Sequence, residues 1–233
     1  VYTSERFASN FAPMGVPQSR PKNHIKIGDT PLITAVEMNS IALVDAMIAA
    51  RADVNYINPV CGRSPLHMAC ALNHAGIVSS LLQANASPNQ LANGRTPFSS
   101  LVDGEEADDV LMLLVRAGGQ DNKFLCKMVQ KARSDVVQSL LRHGWDANGE
   151  ANMRPLIQMF KSGYNRVMTD VDEQEAVLRS LVAAQADVNA VERDGVTALM
   201  SALAMERFQL AELLLNLGAD PNVVDSSGQT ALI

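Results

Sequence analysis

The residues best suited to chemistry in this 233-residue sequence are four histidines, His24, His67, His74 and His143, and three cysteines, Cys61, Cys70 and Cys126. Zinc and similar ions need such ligands at short, recurrent spacings. None of these histidines stands at such a spacing from a cysteine or a carboxylate. An odd number of cysteines without a close pair argues against a disulfide framework, so the thiols read as reduced. Cys61 and Cys70 lie nine residues apart with no neighbouring His–Asp arrangement to activate a nucleophile. Ala117-Gly-Gly-Gln120 lacks the Lys-Ser/Thr pair with which a glycine loop holds phosphate. No paired carboxylates stand out for acid–base work. The residues therefore predict no catalytic group, no metal site and no cofactor.

The composition bounds what could position any site. Hydrophobic residues make up 47% of the chain and aromatics only 4%, so the core must be built from Leu, Val, Ala, Ile and Met. Small aliphatics packed at short range suit stacked helices. No apolar run reaches the roughly 18 residues of a membrane-crossing helix, so no membrane insertion is expected. Residues 1–27 hold Arg6, Arg20, Lys22 and Lys26 against Glu5, a net +3 that leaves the rest at −9 when the whole chain is −6. A mildly acidic body without a Lys/Arg run is a poor nucleic-acid binder. The reduced thiols point to an intracellular, cytoplasmic protein. An organelle stays open, because the first methionine is Met14 and a targeting segment ahead of Val1 is not ruled out.

One motif recurs along the chain. Gly28-Asp-Thr-Pro-Leu32, Gly62-Arg-Ser-Pro-Leu66, Gly94-Arg-Thr-Pro-Phe98, Gly195-Val-Thr-Ala-Leu199 and Gly228-Gln-Thr-Ala-Leu232 align, with weaker copies at Asn122 to Leu125 and Asn152 to Leu156. A second motif follows most of them by about twenty residues: Ala50-Arg-Ala-Asp-Val-Asn55, Ala84-Asn-Ala-Ser-Pro-Asn89, His143-Gly-Trp-Asp-Ala-Asn148, Ala184-Gln-Ala-Asp-Val-Asn189 and Leu217-Gly-Ala-Asp-Pro-Asn222. Measured at the proline position, the copies recur every 27 to 43 residues, about 33 on average. Each unit has a local logic. Thr30, Ser64, Thr96 and Thr197 are placed to cap a helix by accepting a backbone N–H. Pro31, Pro65 and Pro97 follow where a missing N–H does no harm. Leu32, Ala35 and Val36 then share a helical face, as do Leu66, Ala69 and Cys70. Second helices follow at Ile77 to Leu82 and Leu210 to Leu215. Gly144 and Gly218 suit a left-handed helix end, and the Asp-x-Asn turn reverses the chain. One such unit cannot bury its apolar face, but stacked units share a continuous core.

The paired motifs, Thr-Pro-Leu-x-x-Ala and Leu-Leu-x-x-Gly-Ala-Asp-x-Asn, resemble those of the ankyrin-repeat family over residues 28–233, about six repeats and a partial seventh. The resemblance implies an all-α fold of helix-turn-helix repeats with short β-hairpin loops, an ankyrin-repeat α-solenoid. It also implies a structural hydrogen bond between repeats for His67.

Several stretches depart from the pattern. Residues 1–27 hold Pro13, Pro17 and Pro21 and no hydrophobic period, and predict an irregular arm that lies over the first repeat or wraps a partner. Asp103 to Asp109 holds five acids and reads as a solvated turn. In the fourth unit, near 122–148, Phe124 replaces proline and the preceding link is too short for a hairpin. This unit carries a net +3, with Lys127 and Lys131 one helical turn apart. The fifth unit carries an insertion near 161–172 that includes Tyr164 and Arg166, residue types favoured at interface centres. Trp145 stands where the family has a small alanine, either packed locally or exposed as an anchor for a partner. The last repeat stops halfway through its first helix, so the chain reads as a fragment or as one whose end a neighbour covers.

Ankyrin stacks resemble a cupped hand, with hairpin tips as fingers and inner helices as palm. By that resemblance the finger candidates are Tyr56, Ile57, Asn58, Arg63, Gln90, Arg95, Glu192 and Arg193, and the palm candidates are Met68, Lys127, Lys131 and Gln158. The expected function is an interaction scaffold that binds a protein partner and performs no catalysis. No nucleic acid and no small-molecule substrate are expected. Two alternatives stay open: a structural subunit of a large permanent complex, and the targeting region of a larger enzyme.

Overall fold

The computed structural model describes residues 29–101, 108–161 and 170–232. The predicted N-terminal arm, most of the acidic stretch, and Tyr164 and Arg166 lie outside the described residues. Six units follow in chain order: α1 (Pro31–Glu37) with α2 (Ile41–Ala49), α3 (Pro65–Ala71) with α4 (Ala75–Gln83), the 3-10 helix η1 (Pro97–Ser100) with α5 (Asp108–Arg116), α6 (Asn122–Gln130) with α7 (Ser134–Arg142), α8 (Pro155–Lys161) with α9 (Val171–Ala183), and α10 (Ala198–Ala204) with α11 (Phe208–Asn216). Lys161 ends α8, Asp170 caps α9, and Val171 and Asp172 open it, so the two ends of the stretch near 161–172 belong to helices and its middle lies outside the described residues.

Local chemistry explains most of these boundaries. Thr30, Ser64 and Thr197 accept the backbone N–H groups of Ile33, His67 and Met200. Gly144 and Gly218 end α7 and α11 with φ of 82° and 95°. Three other units end on Arg51, Asn85 and Gln185, with φ of 62°, 63° and 65°, in a conformation that glycine would adopt at less cost. Among the described residues the fingers are tight turns rather than strands. Two of them carry a single bridge, Ala92 to Arg95 and Glu150 to Met153.

Most of these helices are seven or nine residues long, too short to persist alone in water. Packing between units supplies what propensity does not. The first helices stack in one row, α1 on α3, α3 on η1, η1 on α6, α6 on α8 and α8 on α10. The second helices form the other row, α2 on α4 on α5, then α7 on α9 on α11. One apolar cluster runs between the rows from Leu32 to Ala219. Leu66, Leu81, Leu125, Ile157, Leu178 and Leu214 are buried in it, each contributing about 1.5–3 kcal/mol.

The third unit breaks the pattern. Its first helix shrinks to the four residues of η1, and the Thr96 side chain caps nothing, contrary to expectation. Its hydroxyl donates instead to Asp121 Oδ2, which also accepts from Ser99 Oγ at 3.2 Å. The other oxygen of Asp121 caps α6 by accepting from the Phe124 N–H at 3.0 Å. No finger precedes α6, and this buried carboxylate takes its place as the tie between units.

Trp145 is buried, at 6% exposure, which corrects its assignment as a partner-binding anchor. The indole meets Phe98 edge-on at 5.1 Å and Phe124 at 6.4 Å, and the two phenylalanine rings lie 5.5 Å apart. The shortened η1 leaves room that an alanine at position 145 would not fill. The three rings fill it.

Candidate interaction surface

The loops between units are anchored before any side chain reaches outward. Asp53, Asp146, Asp187 and Asp220 each accept the N–H of the asparagine two residues on, as the Asp-x-Asn motif predicts. The same asparagines also reach across to the next unit. Asn55 Nδ2 donates to the Asn85 carbonyl and its Oδ1 accepts from the Ser87 N–H. Asn89 repeats this with Gly118 and Gln120, Asn148 with Gln185 and Asp187, and Asn189 with Gly218 and Asp220. This ladder of paired amide bonds fixes the spacing of successive loops. Residues about thirty positions apart make each rung, so nothing within one motif reveals it.

His67 holds a finger to the palm. Its Nε2 lies 3.0 Å from the Arg95 carbonyl and its Nδ1 2.7 Å from Ser64 Oγ. A carbonyl only accepts, so Nε2 carries the proton and Nδ1 receives the serine hydroxyl. This is the bond between repeats that the resemblance implies. Burial lowers the His67 pKa below its ordinary 6.5, the nearby Arg63 charge lowers it further, and the Arg95 carbonyl pulls the other way. A lowered folded-state pKa means that the unfolded chain takes up the proton first. The contribution of neutral His67 is present above pH 6.5 and is lost as the pH falls below it. Urea denaturation of the wild type should therefore weaken more between about pH 7.5 and about pH 5.5 than that of His67→Gln, which keeps an uncharged donor. Equal losses in the two proteins would refute this role.

The predicted finger residues divide by burial. Ile57, Arg63, Arg95 and Arg193 are exposed, and Tyr56 and Gln90 are half-buried. Gln90 Nε2 donates to the Asn55 carbonyl at 2.6 Å, so its amide is turned into the scaffold. Asn58 is buried. It bonds Asp29 through Nδ2 and accepts from the Val60 N–H through Oδ1, which makes it a support for the finger rather than a contact. Glu192 is also buried.

On the palm, Lys127, Lys131 and Gln158 are half-buried. Met68 is buried at 7% exposure and packs in the core cluster, which corrects its place among the palm candidates. The resemblance implies a palm position for Met68, but the stacked neighbours cover it. A polar row crosses three units here. Gln130 donates to Gln158 Oε1 at 3.4 Å, Gln158 donates to Glu192 Oε1 at 2.8 Å, and Lys161 forms an ion pair with Glu192 Oε2. Residue by residue these are ordinary surface types. Only their register across the stack joins them.

Among the described residues, no group of three or more His, Cys, Asp and Glu side chains is placed to hold a metal ion. None of the helices among them is long and apolar enough to cross a membrane. Burial pushes the Cys70 and Cys126 thiols up to about 12, and the carboxylates of Glu192, Asp121 and Glu150 add to the effect at Cys126. Both are inert at neutral pH. Cys61 is half-exposed.

Fingers and palm meet in a cleft of about 460 Å³, walled by Arg63 and by Asn93 and Arg95, with His67 at its base. A larger cleft of about 660 Å³ lies between α10 and the last turn, lined by Lys161, Met200, Met205, Asp225 and Gln229.

Comparison with known proteins agrees with this architecture. Ankyrin-repeat family models match residues 16–92, 32–124 and 181–233. The chain is 26% identical over 213 residues to the ankyrin repeat domain-containing protein SAT10 of Stachybotrys chartarum, covering 88% of this chain and 10% of that protein. It is 26% identical over 213 residues to the nuclear factor NF-kappa-B p105 subunit of Gallus gallus, covering 84% of this chain and 21% of that one. The chain thus spans a tenth to a fifth of the length of these relatives. The crystal structure of the ankyrin repeat domain of Bcl-3, described as a member of the IkappaB protein family, superposes with a TM-score of 0.69 at 24% identity, covering 88% of this chain and 93% of that one. At that identity the likeness shows the fold. Repeats of this kind generally serve as protein–protein interaction modules. With its motifs, its two rows of stacked helices and the matching family models, the chain belongs to the ankyrin repeat family.

Proposed function

We propose that this chain is a protein-binding scaffold that grips its partner between the finger tips and the concave row of first helices and performs no catalysis of its own. The observation that carries this reading is the display of exposed side chains on hydrogen-bonded turns. Arg63 and Arg95 stand on turns whose carbonyls are bonded to Asn58 and to His67, and both border a cleft floored by first-helix residues. Ordering such a surface in advance lowers the entropy lost on binding. Ile57 and Arg193 extend the same set of tips, and Lys127, Lys131 and Gln158 supply polar contacts on the palm. Tyr164 and Arg166 are proposed to add to it from the insertion. The test is photo-crosslinking from finger and palm positions against positions on the second-helix row, with adducts expected from the former alone.

A second reading is favoured by two observations. The chain spans 10% and 21% of its relatives, one of which is by name a subunit, and Phe208 and Leu215 leave apolar area exposed on α11. The repeats would then be one part of a larger protein or of a permanent assembly, or the targeting region of a larger enzyme.

A further inference from the structure

We infer that the cleft between the finger carrying Arg63 and the finger carrying Arg95 binds an acidic segment of a protein partner, with side-chain carboxylates seated against these two arginines. The inference rests on the scaffold reading above and names the chemistry of its partner.

Arg63 and Arg95 line one cleft of about 460 Å³, within the range of roughly 300–1,000 Å³ in which pockets seat ligands. Both are exposed, and neither has an ion-pair partner among the described residues. A guanidinium presents a planar fork of donors that matches a carboxylate with two parallel bonds. On a chain of net charge −6, a pair of uncommitted arginines facing one cleft is a local reversal of sign.

The surroundings hold the backbone of both arginines in place. The Arg95 carbonyl accepts from the Ala92 N–H and lies 3.0 Å from His67 Nε2, and the Arg63 carbonyl accepts from the Asn58 N–H. Asn58 is itself bonded to Asp29. Gly62 adopts φ +60°, and a Cβ there would lie 1.8 Å from Asn93 Nδ2. The absence of a side chain thus lets the Asn93 amide, a further donor, sit between the fingers. No carboxylate among the described residues lines this cleft, and Asp121, which ties the Arg95 finger's unit to α6, is already taken by the Thr96 and Ser99 hydroxyls and by the Phe124 N–H. The half-exposed Cys61 lines the same cleft, while the other two thiols are buried. It therefore serves as a reporter of occupancy.

The probe is a short fluorescein-labelled peptide of alternating Glu and Ala, titrated by fluorescence anisotropy at low salt, with its Gln counterpart as control. The wild-type chain should bind the Glu peptide and discriminate against the Gln peptide. The double variant Arg63→Gln/Arg95→Gln should bind it about tenfold more weakly. The Glu peptide should also slow alkylation of Cys61 by iodoacetamide in the wild type and not in the double variant. Both substitutions are at exposed side chains whose carbonyl bonds remain, and an unchanged thermal melt verifies the fold. Affinity unchanged within about twofold in the double variant, or a Cys61 rate indifferent to peptide, overturns the inference. Loss of binding in Lys127→Gln/Lys131→Gln alone would move the acidic segment to the palm, refuting the cleft while sparing the scaffold reading. A phosphoserine peptide that binds far more tightly than the Glu peptide would refute carboxylates as the natural ligand.

Discussion

Replacing Trp145 with alanine is expected to lower the unfolding free energy by about 3–5 kcal/mol. The indole is buried and packs on Phe98 and Phe124 with ring centroids 5.1 and 6.4 Å away. Its removal leaves a cavity beside η1, the shortest helix of the first row. The neighbours are poorly placed to collapse into it. The Gly119 backbone is packed so closely that a Cβ there would lie 2.6 Å from the Phe98 ring. In a solenoid each unit is stabilised chiefly by its neighbours, so damage at one junction uncouples the two halves. Urea unfolding followed by circular dichroism should therefore show a lower midpoint and a broader or split transition. A loss below about 1 kcal/mol would mean that the rings do not hold this junction. Trp145→Phe, which keeps an aromatic face, should cost less than half as much.

The second large effect is expected at Asp121. Asp121→Ala should destabilise the chain by about 2–3 kcal/mol, because it strips an N-cap and leaves two hydroxyl donors without their acceptor. The carboxylate is buried and accepts from Phe124 N–H, Thr96 Oγ1 and Ser99 Oγ. Asp121→Asn keeps one oxygen for the cap and should recover part of the loss. If alanine and asparagine are equally mild in the same urea titration, the tie across the third and fourth units lies elsewhere. The two substitutions act on one junction and are expected to be less than additive.

Both sites show what kind of information a single sequence holds. The repeat, the helix pairs and three of the four caps follow from residue type and spacing, because a serine or threonine just ahead of an apolar helical face is placed to accept the first free N–H groups. The His67 bridge was also legible, through the family motif. Thr96 has the same local signature as Thr30 and yet bonds to Asp121, since η1 is too short to present a cap site. Nothing in Gly94 to Phe98 announces that. Trp145 was open to two readings because a large ring replacing a small residue is accommodated only by a change elsewhere, here in η1 and at Phe124. Met68 failed for a related reason: the family resemblance implies a palm position, while its cover comes from the particular residues of neighbouring units. The polar row from Gln130 to Glu192 and the asparagine ladder depend on which residues stacking brings side by side. Those pairs are separated by roughly one repeat, and the relevant side chains are among the commonest on protein surfaces. Of the residues proposed for the site, the sequence marks the loops and helix faces that carry them, while their burial is decided by the stacking.

The residues that hold the loops, Asn55, Asn58, Asn89, Asn148, Asn189 and His67, are largely spoken for by bonds within the chain. The residues that reach outward, Ile57, Arg63, Arg95 and Arg193, are exposed. Binding specificity would then vary with the tips while the ladder beneath them stays the same.

The most direct test of the scaffold account is photo-crosslinking from single benzoylphenylalanine substitutions in the full chain. The probe replaces Ile57, Gln158 or Arg193 on the finger and palm side, and Gln138 or Glu212 at exposed positions of α7 and α11. After irradiation in cell extract, the account predicts that one discrete protein adduct forms from the first three positions and is absent from the last two. Adducts that form from Gln138 and Glu212 while the finger and palm positions stay bare would contradict it, and would place the partner on the second-helix row.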